Sequence, residues 1–253
     1  MAEEIDVSLS GGVLDITFNN PEGRNALTKE MLTKLSALFA EARDDDDVRC
    51  ALVHGSETIF SAGLATSEML SPTEGGQNAA LLALHAIESF PKPVIAAVSG
   101  PALGYAVALL MRCDIVYAAK NSLFSLPYTA LGLAPAFELV PRLLKSAGRH
   151  KAAEKIFLSE PISALEAYDM GIINGILEEK DLLPEAISRA GRLANLSPSA
   201  LSAAKALFSE AETLDRASYL AAERKASHAA YASEDAKEAA AAFKEGRKPN
   251  FRR

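Results

Sequence analysis

The first half of the chain alternates between the two-residue period of β-strands and the 3.6-residue period of α-helices. Apolar and polar residues alternate over residues 5–9 and 13–18, with Gly11-Gly12 between them, which predicts a hairpin. Helical spacing of apolar residues after Thr28 predicts a capped helix over residues 29–42. The other predicted elements are strands at 50–53, 94–98 and 115–118 and a helix over 77–90. This alternation indicates a layered α/β core with crossover helices.

The second half is almost wholly helical from about Pro135 onward, with a short strand-like piece near residues 172–177. Alanine is frequent over residues 198–244, and no strand pattern occurs there. Small side chains allow close helix packing, so we expect these helices to lie against the core or against another subunit. No linker separates the two regions, which argues against two independent domains. We place the core at residues 1–195 and the helical region at residues 196–253.

An uncharged run over residues 93–111 lies between Lys92 and Arg112 and is as long as a membrane-spanning helix. Ser-Gly-Pro at residues 99–101 marks a turn in its middle. The run therefore predicts a buried strand, a loop and a buried helix over residues 103–111, and we expect no membrane partner.

Composition narrows the possible functions further. The 253 residues carry a net charge of −7, and this acidic balance gives no support to nucleic-acid binding, which needs a basic surface. Two cysteines, Cys50 and Cys113, are too few for a disulfide framework, and no cluster has metal-ligand spacing. The N-terminal segment is acidic rather than basic, so we expect a cytoplasmic protein with free thiols.

Two loops of small residues follow predicted strands and are candidates for chemistry. Residues 60–64 read Phe-Ser-Ala-Gly-Leu, and residues 99–105 read Ser-Gly-Pro-Ala-Leu-Gly-Tyr and open a helix. N–H groups in the first turn of a helix have no intrahelical partner, so one N–H from each loop could form an oxyanion hole. Alternatively, the glycines only permit tight turns. Spacing alone favours the tight-turn interpretation.

Several ordered motifs spread over nearly the whole chain carry a resemblance. They are FNNPEGRNAL at residues 18–27, FSAGL at 60–64, KPVIAAVSG at 92–100, ALG at 102–104 and FKEGRKPNF at 243–251. In these segments the chain resembles the crotonase, or enoyl-CoA hydratase/isomerase, family. The resemblance implies an α/β spiral of ββα repeats with a C-terminal helical region that builds homotrimers, or hexamers as dimers of trimers. It also implies an acyl-CoA thioester as substrate or ligand, no further cofactor, and a place in fatty acid metabolism.

The resemblance also assigns site residues. The thioester oxygen would lie between the backbone N–H groups of Leu64 and Tyr105, and Tyr105 replaces the usual glycine. Further contacts with acyl-CoA are expected from Ala26, Ala62, Gly63 and Gly104. The phosphates of CoA need local cations, and the candidates are Arg24, Lys244 and Lys248. The two lysines would reach a neighbouring subunit's ligand, although each of these bases could also be an ordinary solvated side chain.

The chain departs from the family pattern at the positions where the resemblance implies acids. The two glutamates of hydratases correspond to Ala108 and Tyr128, the glutamate of some isomerases to Ala136, and an aspartate after the first oxyanion residue to Ala65. Neither alanine nor an unperturbed tyrosine, with a pKa of about 10, replaces a carboxylate near neutral pH. Hydration by two glutamates is therefore not expected.

Other side chains remain as candidate acids or bases. Glu138 lies among apolar residues that would raise its pKa, or it is an exposed acid favoured at the N-terminus of a helix. Tyr128 either donates a hydrogen bond to a reacting group or fills space. His85 is either catalytic or an ordinary helix histidine. Ser67 and Glu68 either line the entrance of the site or form a local cap with a surface acid.

We therefore expect an enzyme whose oxyanion hole stabilises a thioester enolate. An isomerase-type reaction is favoured over hydration, because isomerisation needs only one proton-shuttling group, for which Glu138 is the candidate. The alternative is a catalytically silent acyl-CoA-binding protein of the same fold.

Overall fold

The computed structural model describes residues 4–69 and 78–251. Its strands are β1 (Ile5–Ser10), β2 (Val13–Phe18), β3 (Cys50–His54), β4 (Val94–Val98), β5 (Pro101–Leu103), β6 (Ile115–Ala119), β7 (Leu123–Ser125), β8 (Ile162–Ser163) and β9 (Gly175–Leu177). Its helices are α1 (Lys29–Arg43), α2 (Thr66–Met69), α3 (Ala79–Glu88), α4 (Tyr105–Leu110), α5 (Leu139–Leu158), α6 (Ala164–Asp169), α7 (Glu179–Ala194), α8 (Pro198–Thr213), α9 (Arg216–Ala232) and α10 (Glu234–Glu245). A short 3₁₀ turn covers Thr129–Leu131.

The large sheet has the strand order β1-β2-β3-β4-β6-β9, and only its β1–β2 pair is antiparallel. A smaller sheet joins β5, β7 and β8. The carboxyl ends of the parallel strands β3 and β4 meet at one edge of the large sheet, so the loops that follow them lie side by side. These are the two loops that the sequence marks as candidates for chemistry.

Strands β3 and β4 are buried on both faces, which is why their sequences are continuously apolar rather than alternating. On one face, Ala51 and Val53 pack in the cluster that includes α1 and α3. On the other face, Cys50 and Leu52 pack against the alanine-rich side of α7. Helices on both sides of a mainly parallel sheet form the layered α/β core that the sequence predicts.

One predicted helix begins later than expected. The helix predicted over residues 103–111 starts at Tyr105, because residues 101–103 pair with β7 as a strand. Gly104 then adopts a φ of 52°, which separates this strand from the helix. The chain therefore makes a sharp change of direction at the point where the second candidate loop ends.

Other predictions agree with the structure apart from their ends. Thr28 caps α1, and its hydroxyl accepts a hydrogen bond from the Met31 N–H at 3.2 Å. The helix predicted over 77–90 corresponds to α3, with Gln77 outside the described residues. The strand-like piece near residues 172–177 is reduced to β9.

The C-terminal helices α8, α9 and α10 bury few side chains within one chain. Within these three helices, which are described in full, only Ala242 is buried. Phe208, Tyr231 and Phe243 expose most of their surface. The region is tied to the core through Lys205, whose ammonium lies 2.7 Å from the Asp114 carboxylate. These three helices therefore contribute little to the core of a single chain.

The uncharged run over residues 93–111 is divided among β4, β5 and α4. Among the helices of the described ranges, none has the length and the apolar character needed to cross a membrane. Both cysteines are free thiols, and burial raises the pKa of each to about 12.

Candidate active site

The loop after β3 is held in place by Asn25, a buried residue of the FNNPEGRNAL segment. Its side-chain amide donates to the Phe60 carbonyl oxygen at 3.2 Å, and its own carbonyl oxygen accepts from the Ser61 hydroxyl at 2.7 Å. Asn25 has a φ of 54°, a conformation that asparagine tolerates better than most residues. The motif resemblance predicts ligand contacts for the neighbours Arg24 and Ala26, whereas Asn25 is the residue whose side chain holds the loop.

Strand β5 brings the second loop against the first. The Leu103 N–H donates to the Ser61 carbonyl oxygen at 3.0 Å. Gly63 stands at a close approach of the two backbones: its φ is 87°, and a Cβ there would lie 2.5 Å from the Leu103 carbonyl oxygen and 3.6 Å from the Tyr105 nitrogen. Glycine is therefore required at this position, and it lets the peptide that follows approach the start of α4.

Two backbone N–H groups at the point where these loops meet have no hydrogen-bond partner in the described part of the chain. The Leu64 N–H follows Gly63, and the Tyr105 N–H belongs to the first residue of α4, where no intrahelical acceptor exists. Neither N–H donates to an acceptor within residues 4–69 and 78–251, and both residues border the same cavity. Fixed donors of this kind stabilise a carbonyl oxygen that gains negative charge.

The cavity beside these donors has a volume of about 620 Å³ and mainly apolar walls. Residues 62–64 and 103–105 line one side, and residues within the stretch 127–137 line the other. Helix α2 contributes Glu68, the one carboxylate that the described lining contains. An apolar cleft bordered by the Leu64 and Tyr105 N–H groups suits a ligand that has a hydrocarbon part and a carbonyl group.

Known proteins match this chain over nearly its full length. The sequence model of the family described as "Enoyl-CoA hydratase/isomerase" matches residues 8–253. The chain belongs to this family, the crotonases. It is 36% identical over 255 residues to a Bacillus subtilis (strain 168) protein named "Probable enoyl-CoA hydratase", with 98% of each chain covered.

Further crotonases confirm the fold. The chain is 33% identical over 253 residues to the 2,3-dehydroadipyl-CoA hydratase of Escherichia coli (strain K12), with 98% of each chain covered. The crystal structure of an enoyl-CoA hydratase from Polaromonas sp. JS666 superposes with a TM-score of 0.91 at 32% identity, covering 97% of this chain and 98% of that one. The crotonase fold with its C-terminal helical region is therefore confirmed.

The two positions where the crotonase resemblance implies hydratase glutamates offer no carboxylate. Ala108 is fully buried in α4 and does not line the cavity. Tyr128 lines the cavity, but its hydroxyl oxygen is buried and has no hydrogen-bond partner in the described part of the chain. Burial raises the pKa of Tyr128 to about 12, so the group is neutral. Its ring forms part of the wall, which favours the space-filling alternative for this residue.

Tyr105 directs its side chain into the core, although it replaces the glycine usual in crotonases. Its hydroxyl donates to the Ala80 carbonyl oxygen at 2.7 Å. Its ring stands edge-to-face against Phe137, with ring centroids 5.1 Å apart. Burial raises the pKa of Tyr105, so the phenol stays neutral while its backbone N–H remains at the cavity.

The structure does not bring Glu138 into the cavity. Its side chain is 63% exposed and pairs with Arg112 at 2.9 Å and with Arg142 at 3.3 Å. The expectation of an apolar setting for this carboxylate is wrong, because two guanidinium groups face it. Glu138 has a φ of 56°, so its side chain leaves the backbone in a different direction from that of a helical residue.

The predicted acyl-CoA contacts fall into two groups. Those that line the cavity are Ala62, Gly63, Leu64 and Gly104. Arg24 is exposed on the adjoining loop, where its carbonyl oxygen accepts from the Ala62 N–H at 3.0 Å, and half-buried Ala26 follows on the same loop. The structure thus brings the first group together around the donors and places Arg24 beside it.

Lys244 and Lys248 do not line the cavity. The Phe251 carbonyl oxygen accepts from the Arg49 guanidinium at 3.0 Å, which places the end of the described chain beside the residue before β3. The cavity loops follow the opposite, carboxyl ends of β3 and β4. Contact of these lysines with the ligand of a neighbouring subunit stays a prediction.

The remaining candidate acids and bases differ in whether they line the cavity. His85 lies on α3 and does not line the cavity, whereas Glu68 does. No group of three or more potential metal-ligand side chains occurs among the residues whose structure is described.

Proposed function

We propose that the protein binds an acyl-CoA thioester in this cavity and stabilises its enolate. The thioester oxygen accepts hydrogen bonds from the Leu64 and Tyr105 N–H groups, and the acyl chain lies along the apolar walls. One observation carries the proposal: two backbone donors without partners in the described chain border one apolar cavity. An enolate bears its negative charge on this oxygen, so the donors lower the barrier to loss of an α-proton.

The phosphates of CoA lie outside the apolar cavity in this proposal. Arg24 is exposed on the loop next to Ala62 and supplies a local positive charge for them. Such a charge is needed because the chain as a whole carries a net charge of −7. Lys244 and Lys248 of a neighbouring copy supply further charge in the same proposal.

We propose an isomerase-type reaction with Glu68 as the proton shuttle. The carboxylate takes a proton from the α-carbon of a 3-enoyl thioester and returns it to the γ-carbon of the dienolate, which gives the 2-enoyl thioester. One carboxylate suffices for this reaction. Glu68 lines the cavity, and its side-chain hydrogen bond is with the Ser67 hydroxyl at 3.4 Å.

A catalytically silent acyl-CoA-binding protein is the second candidate. It is favoured by the contrast between an intact pair of backbone donors and the alanine and tyrosine at positions 108 and 128. Such a protein would bind thioesters in the same orientation but would not move a proton.

Exchange of the α-protons of butyryl-CoA for deuterium distinguishes the two candidates, because it reports enolate formation before any product forms. We expect exchange well above the uncatalysed rate, and a loss of about 10²–10⁴-fold in Glu68→Gln. Glu154→Gln, which changes an exposed glutamate of α5, is the matched control and is expected to retain full exchange.

The outcomes separate clearly. Tight binding of butyryl-CoA without deuterium exchange would refute enolate formation and support the catalytically silent acyl-CoA-binding protein. Full exchange in Glu68→Gln would remove Glu68 as the shuttle. Hydration of a 2-enoyl-CoA at a rate above conversion of the 3-enoyl-CoA would replace the isomerase assignment with a hydratase one.

We also propose that α8, α9 and α10 form the interface of a homotrimer or of a hexamer. The exposed rings of Phe208, Tyr231 and Phe243 support this, since burying each of them against another subunit would remove a large apolar area from water. Phe243→Asp is expected to shift the sedimenting species towards monomer. An unchanged oligomer in the variant, or a monomeric unmodified protein, would refute the assignment.

A further inference from the structure

The turn that leads into α5 has an unusual backbone. Phe137 and Glu138 are consecutive residues with φ values of 59° and 56°. Residues with a Cβ rarely adopt this left-handed conformation, and two in succession persist only where surrounding contacts enforce them. Phe137 lines the cavity, whereas Glu138 does not. The strained turn therefore lies directly behind one wall of the site.

A cluster of charged side chains holds this turn. The Arg112 guanidinium donates to the Phe137 carbonyl oxygen at 3.2 Å and to the Glu138 carboxylate at 2.9 Å. Arg142 donates to the same carboxylate at 3.3 Å and also pairs with Glu88 at the end of α3. The turn is thus tied through its main chain and through its side chain at once.

The same guanidinium also reaches the helix that carries an oxyanion donor. Arg112 donates to the Ala108 carbonyl oxygen of α4 at 3.0 Å, and only 3% of its side chain is exposed. Tyr105, the first residue of α4, meets the Phe137 ring edge-to-face at 5.1 Å and 89°. Arg112 consequently fixes the distance between the oxyanion helix and the Phe137 wall.

We propose that Phe137 sets the upper size of the acyl group, and that Arg112 and Glu138 are positioning residues that hold Phe137 in place. The proposal rests on the acyl-CoA binding proposed above. A buried guanidinium is costly to desolvate, and the hydrogen bonds from Arg112 to two carbonyl oxygens and to the Glu138 carboxylate offset part of this cost. Glu138 thereby acquires a role that involves no proton transfer.

The test measures the dissociation constants of butyryl-, hexanoyl-, octanoyl- and decanoyl-CoA by isothermal titration calorimetry. We expect the affinity of the unmodified protein to stop rising within this series. In Phe137→Ala, each methylene that gains a place in the cavity is expected to add about fourfold in affinity. Phe137→Leu, which keeps a large apolar side chain, provides a smaller opening should the alanine variant fold poorly.

The positioning role is tested by coupling between sites. Arg112→Lys and Glu138→Gln are each expected to shift the chain-length profile in the same direction as Phe137→Ala, by a smaller factor. In the Phe137→Ala background they are expected to change it less than about twofold, because the wall they position is gone. Arg149→Lys and Glu154→Gln, which change exposed residues of α5, are the matched controls.

Each result has one meaning. A chain-length profile unchanged in both Phe137 variants would overturn the size-limit proposal while acyl-CoA binding stands. Shifts by Arg112→Lys and Glu138→Gln that persist at full size without Phe137 would overturn the positioning role. Absence of acyl-CoA binding by the unmodified protein would refute the proposed function itself and this inference with it.

Discussion

Replacing Leu64 with proline removes one N–H group from the candidate oxyanion hole. That N–H has no acceptor within the described residues, so its loss breaks no hydrogen bond of the fold. The flanking bonds, from the Leu27 N–H to Gly63 and from the Ala65 N–H to Leu27, involve other groups. The residue before the new proline is Gly63, which has no Cβ to clash with the proline ring. Position 64 therefore allows the donor to be deleted without the loss of a hydrogen bond within the described chain.

The expected magnitude follows from comparison with Leu64→Ala. Both variants lose the half-buried leucine side chain, but only the alanine variant keeps the N–H. Loss of one oxyanion-hole donor typically costs about 10²–10³-fold in rate, or roughly 3–4 kcal/mol in the transition state. We therefore expect Leu64→Pro to catalyse α-deuterium exchange of butyryl-CoA about 10²–10³-fold more slowly than Leu64→Ala.

The assay is run at saturating butyryl-CoA, and the free energy of unfolding of each variant is measured in parallel. A similar stability for the two variants would show that the comparison isolates the N–H group. Exchange rates for proline and alanine that differ by less than about tenfold would refute the role of this donor.

Three further predictions concern stability. Gly63→Ala is expected to lower the free energy of unfolding by about 1–3 kcal/mol more than Gly11→Ala does. Both glycines have a positive φ, but of the two only Gly63 lacks room for a Cβ. Equal losses of stability in denaturant unfolding would refute the close approach at Gly63. Burial of the ring lowers the pKa of His54, but hydrogen bonds to Asp15 and to a backbone carbonyl outweigh this effect and raise the pKa above 6.5. As the histidine titrates, the stabilisation by this pair is present below about pH 6.5 and is lost as the pH rises through the folded-state pKa. Asp15→Asn should therefore be more destabilising at about pH 6 than at about pH 8, and a difference that does not change between these values would contradict the linkage. Tyr128→Phe removes a buried hydroxyl without a partner in the described chain and is expected to keep or raise the free energy of unfolding by up to about 1 kcal/mol, with exchange unchanged; a clear loss of either would show that the hydroxyl is used.

Much of the fold follows from local pattern. The alternation over residues 13–18 predicts β2, and the Thr28 cap with its helical spacing predicts α1, because both signals arise within one element. The start of α4 differs from its prediction because β5 forms by pairing with β7 and by contact with the loop at Ser61. A three-residue strand has too little internal pattern to be recognised without its partners.

The candidate site, like the fold, could be predicted only in part from the sequence. The two small-residue loops were found because tight turns after strands require glycine, and the motif resemblance assigned Leu64 and Tyr105 as donors. Asn25 was missed as the residue that fixes the first loop, since its partner at Phe60 lies 35 residues away. A buried asparagine in a loop motif is the signal that could have found it.

Local sequence patterns are enough to predict strands β1 to β4 and β6, helices α1 and α3, and the two loops of small residues, and they show that positions 108 and 128 carry no glutamate. Which acids face the cavity depends on the tertiary structure. Glu138 turns towards Arg112, 26 residues earlier in the chain, and Glu68 borders the apolar walls instead. The direction of a side chain depends on its backbone φ and on contacts between distant segments, and neither is encoded in local periodicity.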